Sequence, residues 1–519
     1  MRSDALATTR GGHGGFGIQC AGGSTAERHG PAMTELASIA LASALLEQSA
    51  DASQRVVFVD RSAELGVDAS GQHAAWCDAN ADGWPDLRTS GALWLNREGK
   101  SFTRVDAPGD GPVADIDNDG IGDLVSFAPI AVARGVRDGD SLRFEPLALP
   151  ELPKTISRGV AVGDFDGDGF LDAFFGGYED WPTQTTYPSI LLLNEGGKAF
   201  RLASTTAEGR TRGVTACDFD EDGDLDLYRS NYRLQPNALF VNDGKARLAD
   251  EAAARGALAT SEGFAGGHSI GACFGDFDND GRFDLFAGNF AHVDSRGDQP
   301  KSRFLRNGGA ASGWRFEDLG ECGVWYQESY ASPAAADFDN DGDLDLFLTT
   351  VYATASFKKP NFPVLFRNDG AKSDAKWVFA DATAGSGLES LPPTYQAAWA
   401  DVNRDGRLDL VTAGKLFINT GATDAHWLGL RLRGDGFRVN RDAIGAQVRV
   451  SLPDGRTLSR QVEAGTGEGN ANSPILHFGL GACAGPLEVE VRWPNGERLN
   501  ARLDGVNRIV ELAQQLPAP

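Results

Sequence analysis

The 519-residue chain is long enough for two or three domains, or for one large repeat domain with a small companion, and 41% apolar residues suffice for a core. Sixty-five glycines against 2 methionines point to a turn-rich β protein. A net charge of −25 leaves no excess of Lys and Arg to neutralise phosphates, which argues against nucleic-acid binding, and no stretch is apolar for long enough to span a membrane.

The first 32 residues are Gly-rich without a hydrophobic pattern, so disorder is expected there. Residues 36–46 form a short apolar run after Met33. It reads either as a signal-peptide core with a start at Met33 or as a short helix, Glu35 having the wrong charge for a signal n-region. Residues 1–54 are set apart on this basis.

From residue 55 an internal repeat dominates. The pattern D-x-[DN]-x-D-G-x-x-D occurs seven times, with successive starts 37, 49, 54, 58, 61 and 64 residues apart. Its acidic and amide positions are Asp78, Asn80, Asp82 and Asp86; Asp115, Asp117, Asp119 and Asp123; Asp164, Asp166, Asp168 and Asp172; Asp218, Asp220, Asp222 and Asp226; Asp276, Asp278, Asp280 and Asp284; Asp337, Asp339, Asp341 and Asp345; and Asp401, Asn403, Asp405 and Asp409. Small and apolar residues precede each loop, as in 159–163, and an apolar run follows it, as in 344–348. Most repeats then carry an L-x-x-N-x-G element, as at Leu191–Gly196 and Leu365–Gly370, and end on a short strand near Phe102, Phe200, Phe316 or Phe379. That makes four short strands per repeat of about 40–60 residues. The expected fold is all-β: a seven-bladed β-propeller over 55–424, with a solenoid as the alternative. Residues 56–60 resemble the closing strands and could supply the outer strand of the last blade, removing open edges.

Positions 1, 3, 5 and 9 of each loop offer hard oxygens, and Gly at position 6 permits a sharp turn. No His or Cys is present, which suits Ca²⁺ over zinc or copper; magnesium prefers to keep its waters. The loops carry 26 carboxylates, mutually repulsive without cations. Up to seven Ca²⁺ are expected, which would bring −25 to −11. Loops one and seven, with Asn80 and Asn403, should bind more weakly. Cys77 and Cys217 precede loops where neighbours carry Gly or Ala and read as small core residues.

The loops resemble the FG-GAP/VCBS repeat, the calcium-binding blade of integrin-α-type propellers and of many secreted bacterial proteins. The C-terminal segment resembles the ASPIC/UnbV domain through residues 440–446, 476–481 and 491–496, and the combination is similar to the cartilage-acidic-protein type of family. That resemblance implies calcium and an adhesion or binding role rather than an activity. Two departures stand out: Gly467–Ser473 replaces an expected aromatic followed by Ser-Gln, and no EGF-like cysteine cluster follows. Read directly, alternating strands in 425–519 fit a small β-sandwich, in which His477 reads as a core histidine.

If the calcium loops join first and second strands, the other face is free for a glycan, protein or small acidic ligand. Arg158 and Arg212, each six residues before its loop, should point to the channel mouth there, beside Trp181 and Tyr232. The leading reading is a secreted or periplasmic binding protein without enzymatic activity. The alternatives are a carbohydrate-active enzyme, with His268, His292 and Tyr395 as acid or base candidates, and a biosynthetic tailoring factor. Convergence of His268, Tyr395 and both arginines on one pocket would favour an enzyme.

Overall fold

The computed structural model describes residues 56–139, 141–294, 297–371 and 377–514. The expectations for residues 1–54 therefore lie outside the described residues. Residues 54–519 form one compact unit.

The chain is all-β. Seven antiparallel sheets of four main strands follow one another, the first six each drawn from a single stretch of the chain. Sheet one contains Ala74–Cys77, Asp86–Thr89, Ala92–Asn96 and Phe102–Asp106. The first strands of sheets two to seven are Val113–Ala114, Ser157–Gly163, Thr211–Cys217, Ser269–Gly275, Tyr330–Ala336 and Ala397–Ala400. Sheet seven takes its outer strand from the other end of the chain: Phe58–Asp60 pairs antiparallel with Lys415–Asn419, Val59 opposite Ile418. The inner strands of neighbouring sheets pack together, including those of sheets seven and one.

The first strands are rich in Ala, Gly and Val because they stand closest together. Apolar side chains of the second and third strands fill the space between sheets, as where Phe277, Phe304, Trp377 and Phe379 join sheets five and six. Cys77, Cys217 and Cys273 are buried in these layers.

Two further sheets follow. One pairs His426–Arg433 with Ile475–Gly481 and, in parallel, with Arg508–Ala513. The other holds Thr457–Gln461, Gln447–Ser451, Leu487–Arg492 and Arg498–Leu503. Leu428, Leu430, Phe478, Val448, Val489 and Val491 pack between them, and the same core runs on into Val125, Phe127, Val160 and Val162 of sheets two and three. His477 is half-buried and faces outward from this pair. Its ring stacks on Trp427 at 6.0 Å, and its Nε2 lies 2.6 Å from Asn340 Oδ1 in loop six.

Candidate metal loops and the axial segment

All seven acid-rich stretches are turns between the first and second strands of their sheets, with a common backbone. Position 4 is left-handed in every one (φ +55° at Ala81, +59° at Asn118, +66° at Asn340), and the position-6 glycine has φ between +84° at Gly406 and +103° at Gly223. The position-1 carboxylate accepts the position-6 N–H, at 2.7 Å for Asp115 and 3.1 Å for Asp276. The position-5 carboxylate accepts the position-7 N–H, as Asp119 does from Ile121 at 2.8 Å. Gly is required at position 6 because side chains rarely adopt that φ.

The position-9 aspartate is buried in every loop and anchors two strands. Asp345, for example, accepts from Phe338 N at 3.1 Å and from Asn368 N at 2.8 Å. The Asn368 amide in turn donates to Leu344 O of its own loop and Phe277 O of the preceding loop, at 3.1 and 3.0 Å. Asn96, Asn194, Asn242, Asn307 and Asn419 likewise each donate to position 2 of the preceding loop, Asn96 reaching Val402 of loop seven. The L-x-x-N-x-G element is thus a staple between sheets, a role its spacing did not disclose.

In loops two to six, oxygens of positions 1, 3 and 9 lie within 4.8 Å of one another: Asp115, Asp117 and Asp123; Asp164, Asp166 and Asp172; Asp218, Asp220 and Asp226; Asp276, Asp278 and Asp284; Asp337, Asp339 and Asp345. Burial, with the neighbouring carboxylates, pushes Asp115, Asp123 and Asp276 up to about 8 and Asp341 up to about 7. Oδ1 of Asp166, Asp218, Asp220, Asp278 and Asp337 and Oδ2 of Asp226 are buried without a hydrogen-bond partner. Arg134, Arg201, Arg255 and Arg306 approach the position-3 acids only to 3.2–3.9 Å. Buried, unpaired oxygens converging in an all-oxygen set fit a hard divalent cation.

The C-terminal sheets touch all seven loops. Arg431 bonds Asp78, Asp442 accepts Asp115 N, Gln447 donates to Asp218 O and Gly479 N donates to Asp337. Thr457 N donates to Asn279 O, the Phe437 carbonyl packs on Gly169, and Trp427 packs on Gly406.

From these sheets, residues 463–473 run inward along the first strands. Ala464 O accepts from Val162 N, Gly467 O from Val214 N, and Ala471 exchanges hydrogen bonds with Trp76 and Ala74. Asn470 Oδ1 accepts from Ala74 N and Ala397 N, while Asn472 and Ser473 bond Trp399. The approach is close enough to require glycine on both sides: a Cβ on Gly159 would lie 2.5 Å from Gly467 O, and one on Gly213 2.9 Å from Gly467 Cα. The segment noted for departing from the resembled pattern therefore lies along the first strands, and is called axial on that account. Glu468, fully buried, pairs at its tip with Arg212, and His73 Nε2 lies 3.7 Å from its other oxygen. Burial opposes that charge, but the Arg212 charge and hydrogen bond outweigh it and hold Glu468 down to about 2.

The remaining candidates lie around this tip. Arg212 is buried, its guanidinium 5.3, 5.6 and 5.3 Å from the Tyr178, Tyr232 and Tyr395 rings. Arg158, its counterpart in sheet three, is exposed and lies 5.9 Å from Tyr178. His268 is buried against Tyr232 at 4.8 Å and His292 at 5.3 Å, and His292 Nδ1 lies 2.7 Å from Glu328 Oε1. Trp181 is 52% exposed under Arg233, and Tyr352 is 56% exposed. Arg212 and Tyr395 are thus brought together with Tyr232, whereas Arg158 and Trp181 stay on the outer rim. Two cavities, of about 100 and 70 Å³, lie instead between the C-terminal sheets and the first strands.

Family models match two parts of the chain. The FG-GAP-like repeat matches residues 218–287 and 337–412, and the ASPIC and UnbV model matches 436–517. The chain carries FG-GAP-like repeats followed by an ASPIC/UnbV segment. Cartilage acidic protein 1 of Mus musculus is 25% identical over 311 residues, covering 58% of this chain and 45% of that protein. The Homo sapiens protein of that name is also 25% identical, covering 58% and 44%. This chain spans under half the length of these curated relatives. Among solved structures, BBS1N in complex with ARL6DN aligns over 72% of this chain and 99% of that one, at 11% identity and a TM-score of 0.40, too low to carry an argument.

Proposed function

We propose that residues 55–424 form a calcium-loaded, seven-bladed propeller and that 425–519 form its ASPIC/UnbV β domain. In this reading the protein is an extracytoplasmic binding module for a glycan or protein ligand. The carrying observation is the set of acid triads at corresponding places in loops two to six, with buried oxygens in loops three to six that no protein donor satisfies. Such oxygens are costly in a folded protein unless an ion takes them up. Loops of this type suit high free calcium, which supports export, as does the resemblance to proteins named for cartilage.

The ligand face in this reading is the one carrying the variable connections. The C-terminal sheets engage the loop face, and the buried Arg212 is neutralised by the chain's own Glu468. That directs attention to the outer rim, where Trp181, Tyr352, Arg233 and Arg158 present aromatic and cationic groups to solvent. The test has two arms. Metal analysis of the purified full chain should find bound calcium; its absence would remove the reading. Thermal-shift screening of glycans with calcium held saturating should find a stabilising ligand whose effect is lost in Trp181→Ala and Arg158→Ala. A ligand indifferent to both changes would move the site elsewhere.

A further inference from the structure

The hairpin that joins the second and third strands of sheet three, residues 178–187, gathers four arginines around it at the end of the sheets opposite the acid loops. We infer that this hairpin is a subsite for an acid-bearing saccharide: the exposed Trp181 ring stacks on a pyranose, and the guanidinium groups beside it take a carboxylate or sulfate on that sugar. This rests on the binding-module reading above and names the class of glycan.

Glu179 organises the charges. Its side chain is fully buried, and its Oε2 accepts from both Arg210 Nε, at 2.6 Å, and Arg233 Nη1, at 3.1 Å. One carboxylate balances one guanidinium, so a second positive charge is left over. Arg210 engages Glu179 through Nε alone. Arg233 uses only Nη1, which also reaches Gln184 Oε1 at 2.6 Å. The remaining guanidinium nitrogens of both have no hydrogen-bond partner among the described residues. Arg158 is exposed, lies 5.9 Å from the Tyr178 ring and makes no ion pair among the described residues. Arg212, near the same ring, is matched by Glu468. The other acids here, Asp180 and Glu208, meet the hydroxyls of Thr183 and Thr186, each at 2.9 Å, and not an arginine. Two guanidinium charges therefore lack a carboxylate of their own, in a chain of net charge −25.

Trp181 supplies the apolar part. It is 52% exposed, and Arg233 lies over its ring at 5.0 Å, which leaves the opposite face open. Beside it Thr183, Gln184 and Thr185 are exposed and offer hydroxyl and amide groups to a hydroxyl-rich ligand. A flat ring, neutral polar neighbours and a guanidinium fork together suit the C–H face, the hydroxyls and the acid group of one sugar residue. An acidic peptide would use the arginines and leave the ring idle. The overall negative charge repels a long polyanion at range, so the fitting ligand carries its acid groups sparsely.

The test is calorimetry on the full chain in saturating calcium, with galactotriose, trigalacturonate and galactotriose carrying one sulfate ester as probes. Trigalacturonate should bind at least about tenfold more tightly than galactotriose, a difference of about 1.4 kcal/mol. The sulfated sugar separates the two sources of charge: affinity equal to that of trigalacturonate assigns the site to either anion, and affinity equal to that of galactotriose assigns it to a carboxylate. This comparison needs no variant. Arg233→Gln and Arg158→Gln should each reduce the preference for the acidic sugar and leave galactotriose binding unchanged, whereas Trp181→Ala should weaken both sugars by the same factor. Equal binding of galactotriose and trigalacturonate would overturn the inference, as would failure of both acidic sugars to bind or a preference that survives both arginine substitutions. A hexaglutamate peptide that binds as tightly as trigalacturonate and loses as much in Trp181→Ala would overturn the assignment to a saccharide. The binding-module reading falls separately, when the thermal-shift screen finds no ligand at all.

Discussion

Glu468→Ala is the most informative single change away from the acid loops. Glu468 is fully buried and meets Arg212, itself buried, 256 residues away in sequence. Removing one partner of a buried pair leaves the other charge without compensation, which costs about 3–5 kcal/mol. Here three tyrosine rings at 5.3–5.6 Å still face the guanidinium, and cation–π contacts offset roughly 0.5–2 kcal/mol, so the expected loss is about 3 kcal/mol. Adding Arg212→Met to Glu468→Ala should recover much of it, because replacing both members of a buried pair by apolar groups is often neutral. Urea unfolding of wild type, both single variants and the double variant in saturating calcium, followed by tryptophan fluorescence, gives the comparison. The pH dependence is fixed by sign. Glu468 is held down to about 2 in the fold, below its usual 4.5, so the stability it contributes is complete above about 4.5. That contribution is lost as pH falls through 4.5 toward 2, and the gap between wild type and Glu468→Ala should close over the same range. A loss below about 1 kcal/mol at pH 7, or a double variant as unstable as the two single losses added, would refute the placement of Glu468 as the anchor of the axial segment.

Chelation should lower the melting temperature by roughly 10 °C, since each site filled at a hundredfold excess over its dissociation constant contributes about 2.7 kcal/mol; unchanged melting in excess EDTA would contradict the role given to the loops. Asp339→Ala, within a converging triad, should destabilise more than Arg158→Ala at the exposed rim, and equal melting shifts would reverse that ordering. Asn307→Ala withdraws the donor from Phe219 O and Phe283 O and should cost about 2–4 kcal/mol in chemical denaturation, at about 1–3 kcal/mol per buried acceptor left unpaired; a cost within ~0.5 kcal/mol would show that water replaces the staple.

The parts legible in the sequence are those whose chemistry imposes local spacing. Carboxylates that must converge within one turn write D-x-D-x-D-G directly, and the short apolar runs on either side mark the strands that hold the turn. Residues 56–60 could be matched to the closing strands because a strand edge needs a partner wherever the chain supplies one. The axial segment has no such signature. Its contacts are to Ala74, Val162 and Val214, hundreds of residues from Gly467, and to Trp399 of the last sheet, and its alternation of glycines reads locally as a loop. The burial of Arg212 carries no local mark for the same reason. Six residues before its loop it is equivalent to Arg158, yet Glu468 meets one and not the other, so one is buried and the other lies in solvent. His477 shows the limit of burial pattern alone: it alternates with Leu476 and Phe478 like a core residue, but it faces loop six across the junction.

These elements act in series. A cation drawn to positions 1, 3 and 9 would fix the position-9 carboxylate, which accepts the backbone N–H of the stapling asparagine; that asparagine's amide holds the preceding loop. Order at one loop is therefore transmitted to the joint before it, and the C-terminal sheets, resting on all seven loops, constrain them together. The axial segment secures the same junction from within. With one end of the sheets committed to acid loops, staples and domain contacts, sequence variation is least costly at the other end, in the connections that carry Trp181, Tyr352 and His292. Binding specificity that diverged on this scaffold would accumulate there, because those connections can change without releasing a staple or a cation.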